Sequence, residues 1–147
     1  MDNEYLIENL KKVPILAALK HEHLDMLAKL SATRNFKKGE IIIKQGDPGS
    51  GLFVILSGSV SVSNKNRPGL SDNMLNELGR GDFFGEMSLI DGYPRSATCT
   101  AAIETQVVEL NRWVFLDVLR REPSIAVAML PVLCRRIRTL EEQKTKR

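Results

Sequence analysis

Histidine is almost missing from this chain of 147 residues: His21 and His23 are its two, and none lies between Arg34 and Leu110. Imidazole is the usual general acid–base group and a frequent metal ligand, so chemistry of those kinds has little equipment here. The two histidines are two residues apart, which on a helix turns their rings in different directions, and no third ligand is near. Solvated histidines and no metal site are expected. A phosphate-binding Walker loop, a nucleophile elbow and a Ser/His/Asp set are also absent. The chain is therefore expected to be neither an enzyme nor a holder of a cofactor.

Long apolar runs are lacking too, and no stretch approaches the length that a membrane span needs. Asp2, Glu4 and Glu8 lie where a secretory signal would carry positive charge, so a cytoplasmic protein without membrane contact is expected. Cysteine is scarce. Cys99, in a predicted strand, and Cys134, in a predicted helix, lie far apart with no partner motif. Two buried thiols are expected rather than a disulfide.

What is present is ordinary in bulk: 43% apolar and 27% charged residues, in a length that suits one domain. The pI near 9.0 raises the question of nucleic acid. From Arg135 onward six basic residues stand against two acidic ones, a net +4, which leaves the rest of this +3 chain at −1. Basicity is thus a property of the tail, and the body has no broad footprint for DNA or RNA, so no direct nucleic-acid contact is expected. The tail reads as a solvated helix end or as a contact for an acidic partner.

Organisation follows from periodicity. Helical patterning runs from Glu4 to Leu30 and is interrupted at Pro14. From Arg34 to Leu110 short apolar runs recur between turn signals: Ile41–Ile43, Leu52–Leu56, Val60 with Val62, Met74–Leu78, Ala97–Ala102 and Gln106–Leu110. The segment Asn64–Asn73 reads as a variable hairpin tip. Asn111 is an N-cap candidate for a helix from Arg112, and Glu122-Pro123-Ser124 breaks the chain and restarts it. In the last helix Leu130, Leu133, Ile137 and Leu140 follow heptad spacing, which suits either a homodimer seam or a face packed on the domain. Pro131 within it predicts a kink.

The predicted fold is α+β and mainly β: an antiparallel jelly-roll barrel, or double-stranded β-helix, with N-terminal helices and C-terminal lid helices. Its expected parts are a helical start over about 1–33, a β-roll over about 34–110, helices over about 111–142 and a basic tail at 143–147.

The most informative stretch is Gly85 to Ala97, which follows the apolar Phe83-Phe84. Arg95 offers a planar fork of N–H donors suited to two oxygens of a phosphodiester, and as a site residue it is expected to face solvent. Ser96 adds a hydroxyl donor, and the start of a short helix adds backbone N–H groups that favour an anion. Glu86 is an acceptor only when ionised, so it suits a ribose hydroxyl and repels phosphate. Taken singly, Glu86 and Arg95 also fit a surface ion pair beside an ordinary turn, and Gly85 and Gly92 fit simple turn glycines. As a set they describe a nucleotide with one phosphate.

Phe84-Gly85-Glu86-Met87-Ser88-Leu89, followed by Pro94-Arg95-Ser96-Ala97-Thr98, resembles the phosphate-binding cassette of cyclic-nucleotide-binding domains. Such domains occur in the catabolite activator protein, the regulatory subunits of cyclic-AMP-dependent protein kinase and cyclic-nucleotide-gated channels. Lys38-Gly39-Glu40, Gly46-Asp47 and Gly58-Ser59-Val60 extend the likeness, which spans roughly Val13 to Ile137. The resemblance implies ligand contacts at Phe84, Gly85, Glu86, Met87, Ser88, Arg95, Ser96 and Ala97. It implies a base pocket at Val62, Leu75 and Leu78, with Arg136 reaching the ligand from the last helix. Leu140 is apolar where the catabolite activator protein has a polar base contact, so that contact is not carried over. Serine at position 96 is similar to bacterial cyclic-AMP regulators, and its hydroxyl leaves cyclic GMP open.

The resemblance implies a sensor whose C-terminal helices close over cyclic AMP and signal to an unknown effector. Two alternatives remain: the ligand-binding part of a transcription regulator whose DNA-binding part is missing, and a jelly-roll interaction domain that has lost its nucleotide. A helix-turn-helix has no room before the chain ends at Arg147, which counts against the former for this sequence alone. A cupin-like metal enzyme is disfavoured by the histidine-free strand region.

Overall fold

Alternating apolar and polar residues between turns become short strands in the structure, a computed structural model that describes residues 3–65 and 73–145. The chain divides into two units, Leu30–Phe115 and the combined segments on either side of it.

The central unit holds eight strands among the described residues: β1 (Ala32–Phe36), β2 (Ile41–Ile43), β3 (Gly51–Ser57), β4 (Val60–Asn64), β5 (Asn73–Leu78), β6 (Phe83–Phe84), β7 (Thr98–Ala101) and β8 (Thr105–Asn111). They form two four-stranded sheets, ordered β1-β8-β3-β6 and β2-β7-β4-β5, and every pairing is antiparallel. This is the two-sheet jelly roll. Inward residues of both sheets share one core, with Phe36, Phe53, Ile55, Phe84 and Val107 from the first and Val60, Cys99 and Ala101 from the second. The rings of Phe53 and Phe84 stack 5.1 Å apart across the β3–β6 pair.

Strand β1 carries no periodic signal in the sequence. Its residues Ala-Thr-Arg-Asn-Phe are exposed except for the last, and it is held as an edge by its pairing with β8 and by Arg34 beside Glu109 at 3.3 Å. A two-residue strand such as β6 is likewise too short to show alternation. Most of the tip read at Asn64–Asn73 lies outside the described residues, as does the end of the basic tail.

The flanking unit is helical: α1 (Asn3–Lys11), a 3-10 turn (Pro14–Leu16), α2 (His21–Leu30) and, after a third helix in the roll, α3 (Glu86–Asp91), the helices α4 (Arg112–Arg121) and α5 (Pro123–Thr145). Leu6, Leu10, Leu16, Leu24 and Leu27 are buried, and α5 contributes Ile125, Met129 and Val132, spaced four and three as one helical face requires. Asn111 caps α4, its Oδ1 accepting the N–H of Trp113 at 2.8 Å and of Val114 at 3.3 Å.

Two expectations change, and one open choice narrows. His23 is buried in α2 rather than solvated, while His21 is exposed beside Glu4 at 3.2 Å. Cys134 is exposed on α5 rather than buried. Leu130, Ile137 and Leu140 are exposed, because α5 turns its Ile125–Met129–Val132 face inward. Pro131 sits inside α5, which runs on through it. Among the described residues no helix is long and apolar enough to cross a membrane.

Candidate functional site

Strand β6 ends at Phe84, and Gly85 turns the chain into α3 with φ +86°, a left-handed conformation that costs glycine little. A Cβ at Gly85 would also lie 2.6 Å from Arg95 Nη1 and 2.7 Å from the Gly51 carbonyl oxygen. Leu89 anchors α3 in the core, and the helix closes at Gly92, whose N–H donates to the Ser88 carbonyl at 3.0 Å. Tyr93 to Ala97 then lead into β7.

Between this segment and the second sheet lies a cavity of about 510 Å³, within the ~300–1,000 Å³ usual for small-molecule sites. Phe84, Gly85, Glu86, Met87, Ser88, Arg95, Ser96 and Ala97 all line it, with Val62 and Leu78 of the expected base pocket. Leu75 does not, and it is 53% exposed. Odd spacing on a strand puts residues on opposite faces, so Leu75 cannot accompany Leu78. The β4–β5 register also jumps from Val62↔Asn76 to Ser63↔Met74, which leaves Leu75 opposite nothing. Asn76 takes the inward place. Arg136 lies half-buried on α5 in the helical unit.

Arg95 is not the solvent-facing residue expected; it is 5% exposed. Its Nη2 donates to the Gly51 carbonyl oxygen at 2.9 Å, and its guanidinium lies 5.9 Å from the Phe53 ring centroid. Nη1 is buried and has no hydrogen-bond partner among the described residues. Burial pulls the arginine's pKa below its ordinary value, while Cys99 and Glu109 act in the opposite sense. A guanidinium stays charged in proteins even so, and the result is a desolvated cation in the cavity wall with donor capacity to spare. That environment excludes the surface ion pair as an account of Arg95.

The loop between β2 and β3 clasps this segment. Arg95 N–H donates to the Asp47 carbonyl at 2.8 Å, Gly46 N–H to the Arg95 carbonyl at 2.8 Å, and Gly49 N–H to the Gly92 carbonyl at 3.2 Å. Gly49 is buried against the Ser88 side chain and the Tyr93 carbonyl, so a Cβ there has no room. Ser88 Oγ donates to that same carbonyl at 3.4 Å, so Ser88 is tied to the segment that follows α3 rather than turned wholly to the cavity. In the sequence Gly46-Asp47 extended the family likeness without showing this clasp. Nothing in the sequence marked Arg112, whose Nη2 donates to the Ile90 carbonyl in the last turn of α3 at 3.0 Å and whose guanidinium lies 4.9 Å from the Trp113 ring centroid.

Chemically, the cavity offers a buried cation, a nearby serine hydroxyl, one carboxylate and an apolar wall. Among the described residues no group of three or more His, Cys, Asp or Glu could hold a metal ion. The profile of one family, described as the cyclic nucleotide-binding domain, matches residues 33–122. The chain belongs to that family.

Known relatives of this cyclic nucleotide-binding domain include the cyclic AMP receptor protein of Thermus thermophilus, 34% identical over 88% of this chain and 59% of that protein. The cAMP-dependent protein kinase regulatory subunit of Dictyostelium discoideum is 39% identical over 71% of this chain and 33% of the relative. The chain thus spans less than two thirds of either. Among solved structures, the N-terminal domain of a transcriptional regulator from Streptomyces coelicolor A3(2) superposes with a TM-score of 0.82 at 31% identity, covering 92% of this chain and 94% of that one.

Proposed function

We propose that this domain is a cyclic-AMP sensor that binds one nucleotide in the roll and passes its occupancy on through α4 and α5. The observation that carries the reading is Arg95, a buried guanidinium whose Nη1 lies unpartnered in the cavity wall. A desolvated cation favours an anion strongly, and a phosphodiester oxygen is the acceptor that a cyclic nucleotide brings. Glu86 accepts from the ribose 2′-hydroxyl, Ser96 donates to the phosphate, and Val62 and Leu78 flank the base. Cyclic AMP is favoured over cyclic GMP by the relatives' named ligand and by Ser96 as the family's bacterial members carry it. The reading is of a binding module, with no reaction assigned.

Ligand affinity that differs between two arrangements of the domain shifts their populations, and that difference is the signal. Self-association through Leu130, Ile137 and Leu140, all exposed on α5, is one way to use it. A second reading is favoured by the likeness to the N-terminal domain of a transcriptional regulator. It keeps the same pocket and makes the effector a DNA-binding partner.

The test is isothermal titration of nucleotide-free protein with cyclic AMP. Saturation near one ligand per chain is expected. No binding by folded, empty protein would return the chain to the class of jelly-roll interaction domains.

A further inference from the structure

One ion pair of the roll lies on the inner face of a sheet. Glu109 of β8 is directly opposite Phe53 of β3, and residues paired in that way share a face. Phe53 belongs to the core, so the Glu109 carboxylate is turned to the interior side of the first sheet, where its side chain is 16% exposed. Arg34 of β1 is opposite Val107 of the same core and lies on that face too. Its Nη1 donates to Glu109 Oε1 at 3.3 Å. Arg34 is the outer member of the pair, with its side chain 47% exposed.

Arg95 comes to the same phenylalanine. Its guanidinium lies 5.9 Å from the Phe53 ring centroid, and its Nη2 is fastened to the carbonyl of Gly51 in the same strand. Phe53 therefore has a buried cation on its ring and a half-buried carboxylate as its cross-strand neighbour. The Glu109 charge reaches Arg95, where it opposes the pull of burial on the guanidinium. A desolvated cation is costly, and a carboxylate close by offsets part of that cost while the cavity is empty. The same carboxylate repels the anion that the cation is there to bind. Arg34, paired with Glu109, weakens both effects.

We propose that Glu109 is a positioning residue that steadies Arg95 in the empty cavity and, by the same charge, holds down the affinity for a phosphodiester, with Arg34 setting how much of that charge Arg95 feels. The inference rests on the nucleotide-binding reading above.

The experiment measures Kd for cyclic AMP by titration, and the melting midpoint of the nucleotide-free protein, in the wild type, Glu109→Gln, Arg34→Gln and the double variant. Glutamine keeps an oxygen for Arg34 and removes the charge. A unit charge near the ligand at a half-buried site is worth about three- to tenfold in affinity. Glu109→Gln is therefore expected to bind cyclic AMP about three- to tenfold more tightly, while its empty form melts below the wild type. Arg34→Gln is expected to bind more weakly, and to lose most of that effect in the Glu109→Gln background, as coupled residues do. A pair that only braces the edge strand β1 would lower the midpoint without tightening binding. Unchanged or weaker binding by a folded Glu109→Gln would thus overturn the proposal and leave the site reading standing. Should that variant not fold, unchanged affinity in Arg34→Gln would overturn it instead. A wild type that does not bind cyclic AMP would overturn the site reading and this inference with it.

Discussion

Arg95 Nη2 donates to the carbonyl oxygen of Gly51 at 2.9 Å, so the side chain that supplies the cavity's positive charge is fastened to the first residue of β3. One guanidinium nitrogen holds the arginine in place and the other lies buried without a partner. Such an arginine is positioned before any ligand arrives, which lowers the ordering cost of binding.

The same bond predicts a cost in stability. Arg95→Ala removes the donor from a buried carbonyl and the cation from the face of Phe53, and is expected to destabilise the ligand-free domain by about 1–3 kcal/mol. Thermal melting of the empty variant checks this. A midpoint equal to the wild type's would mean that the Gly51 contact contributes nothing.

Arg112 holds the other end of the segment. Its bond to the Ile90 carbonyl at 3.0 Å puts a cation at the C-terminal end of α3, where the helix dipole favours one. Arg112 is also the first residue of α4, so one side chain ties the end of the cassette helix to the start of the chain segment that follows β8. Arg112→Ala is expected to speed amide exchange in α3 and to weaken nucleotide binding several-fold, by about 1 kcal/mol. Hydrogen exchange followed by mass spectrometry reads the first effect, and unchanged exchange over Glu86–Asp91 would remove Arg112 from this role.

The limits of the sequence show in these residues. Gly85, Glu86, Arg95 and Ser96 were legible because the cassette is contiguous and its residue types are unusual together. Strands β2, β3, β4, β5, β7 and β8 were legible because apolar runs between glycine and proline turns specify them. Strand β1 was not, since an exposed edge needs no apolar alternation. The burial of Arg95 was hidden because it depends on Gly51 and Phe53, more than forty positions upstream. Leu75 was misplaced against simple alternation, which puts Asn76 and not Leu75 on Leu78's face; only the register shift that leaves Leu75 unopposed is a property of two strands and leaves no mark in one.

The two cysteines differ in environment, which gives a pH-dependent prediction. Burial pushes the Cys99 thiol up to about 11 from 9.0, against a smaller opposing pull from Arg95. Cys134 is exposed. At neutral pH a maleimide should label one thiol per native chain rapidly, and Cys134→Ser should abolish that labelling. Cys99 is a group whose folded pKa is raised, so its contribution to stability is complete below about pH 9 and is lost as pH rises towards about 11. Denaturant unfolding of Cys134→Ser across that window should show the loss. A midpoint independent of pH there would contradict the burial argument.

The central claim is that Arg95 binds the phosphate of a cyclic nucleotide, and the most direct measurement compares cyclic-AMP titrations of the wild type and Arg95→Lys. Lysine keeps the positive charge but has no planar fork to reach Gly51 and a phosphate oxygen at once. The account predicts saturable binding near one nucleotide per wild-type chain, and a loss of about ten- to a hundredfold in affinity for a folded Arg95→Lys, the range of one hydrogen bond to a charged group. Equal affinity in the two proteins would contradict it.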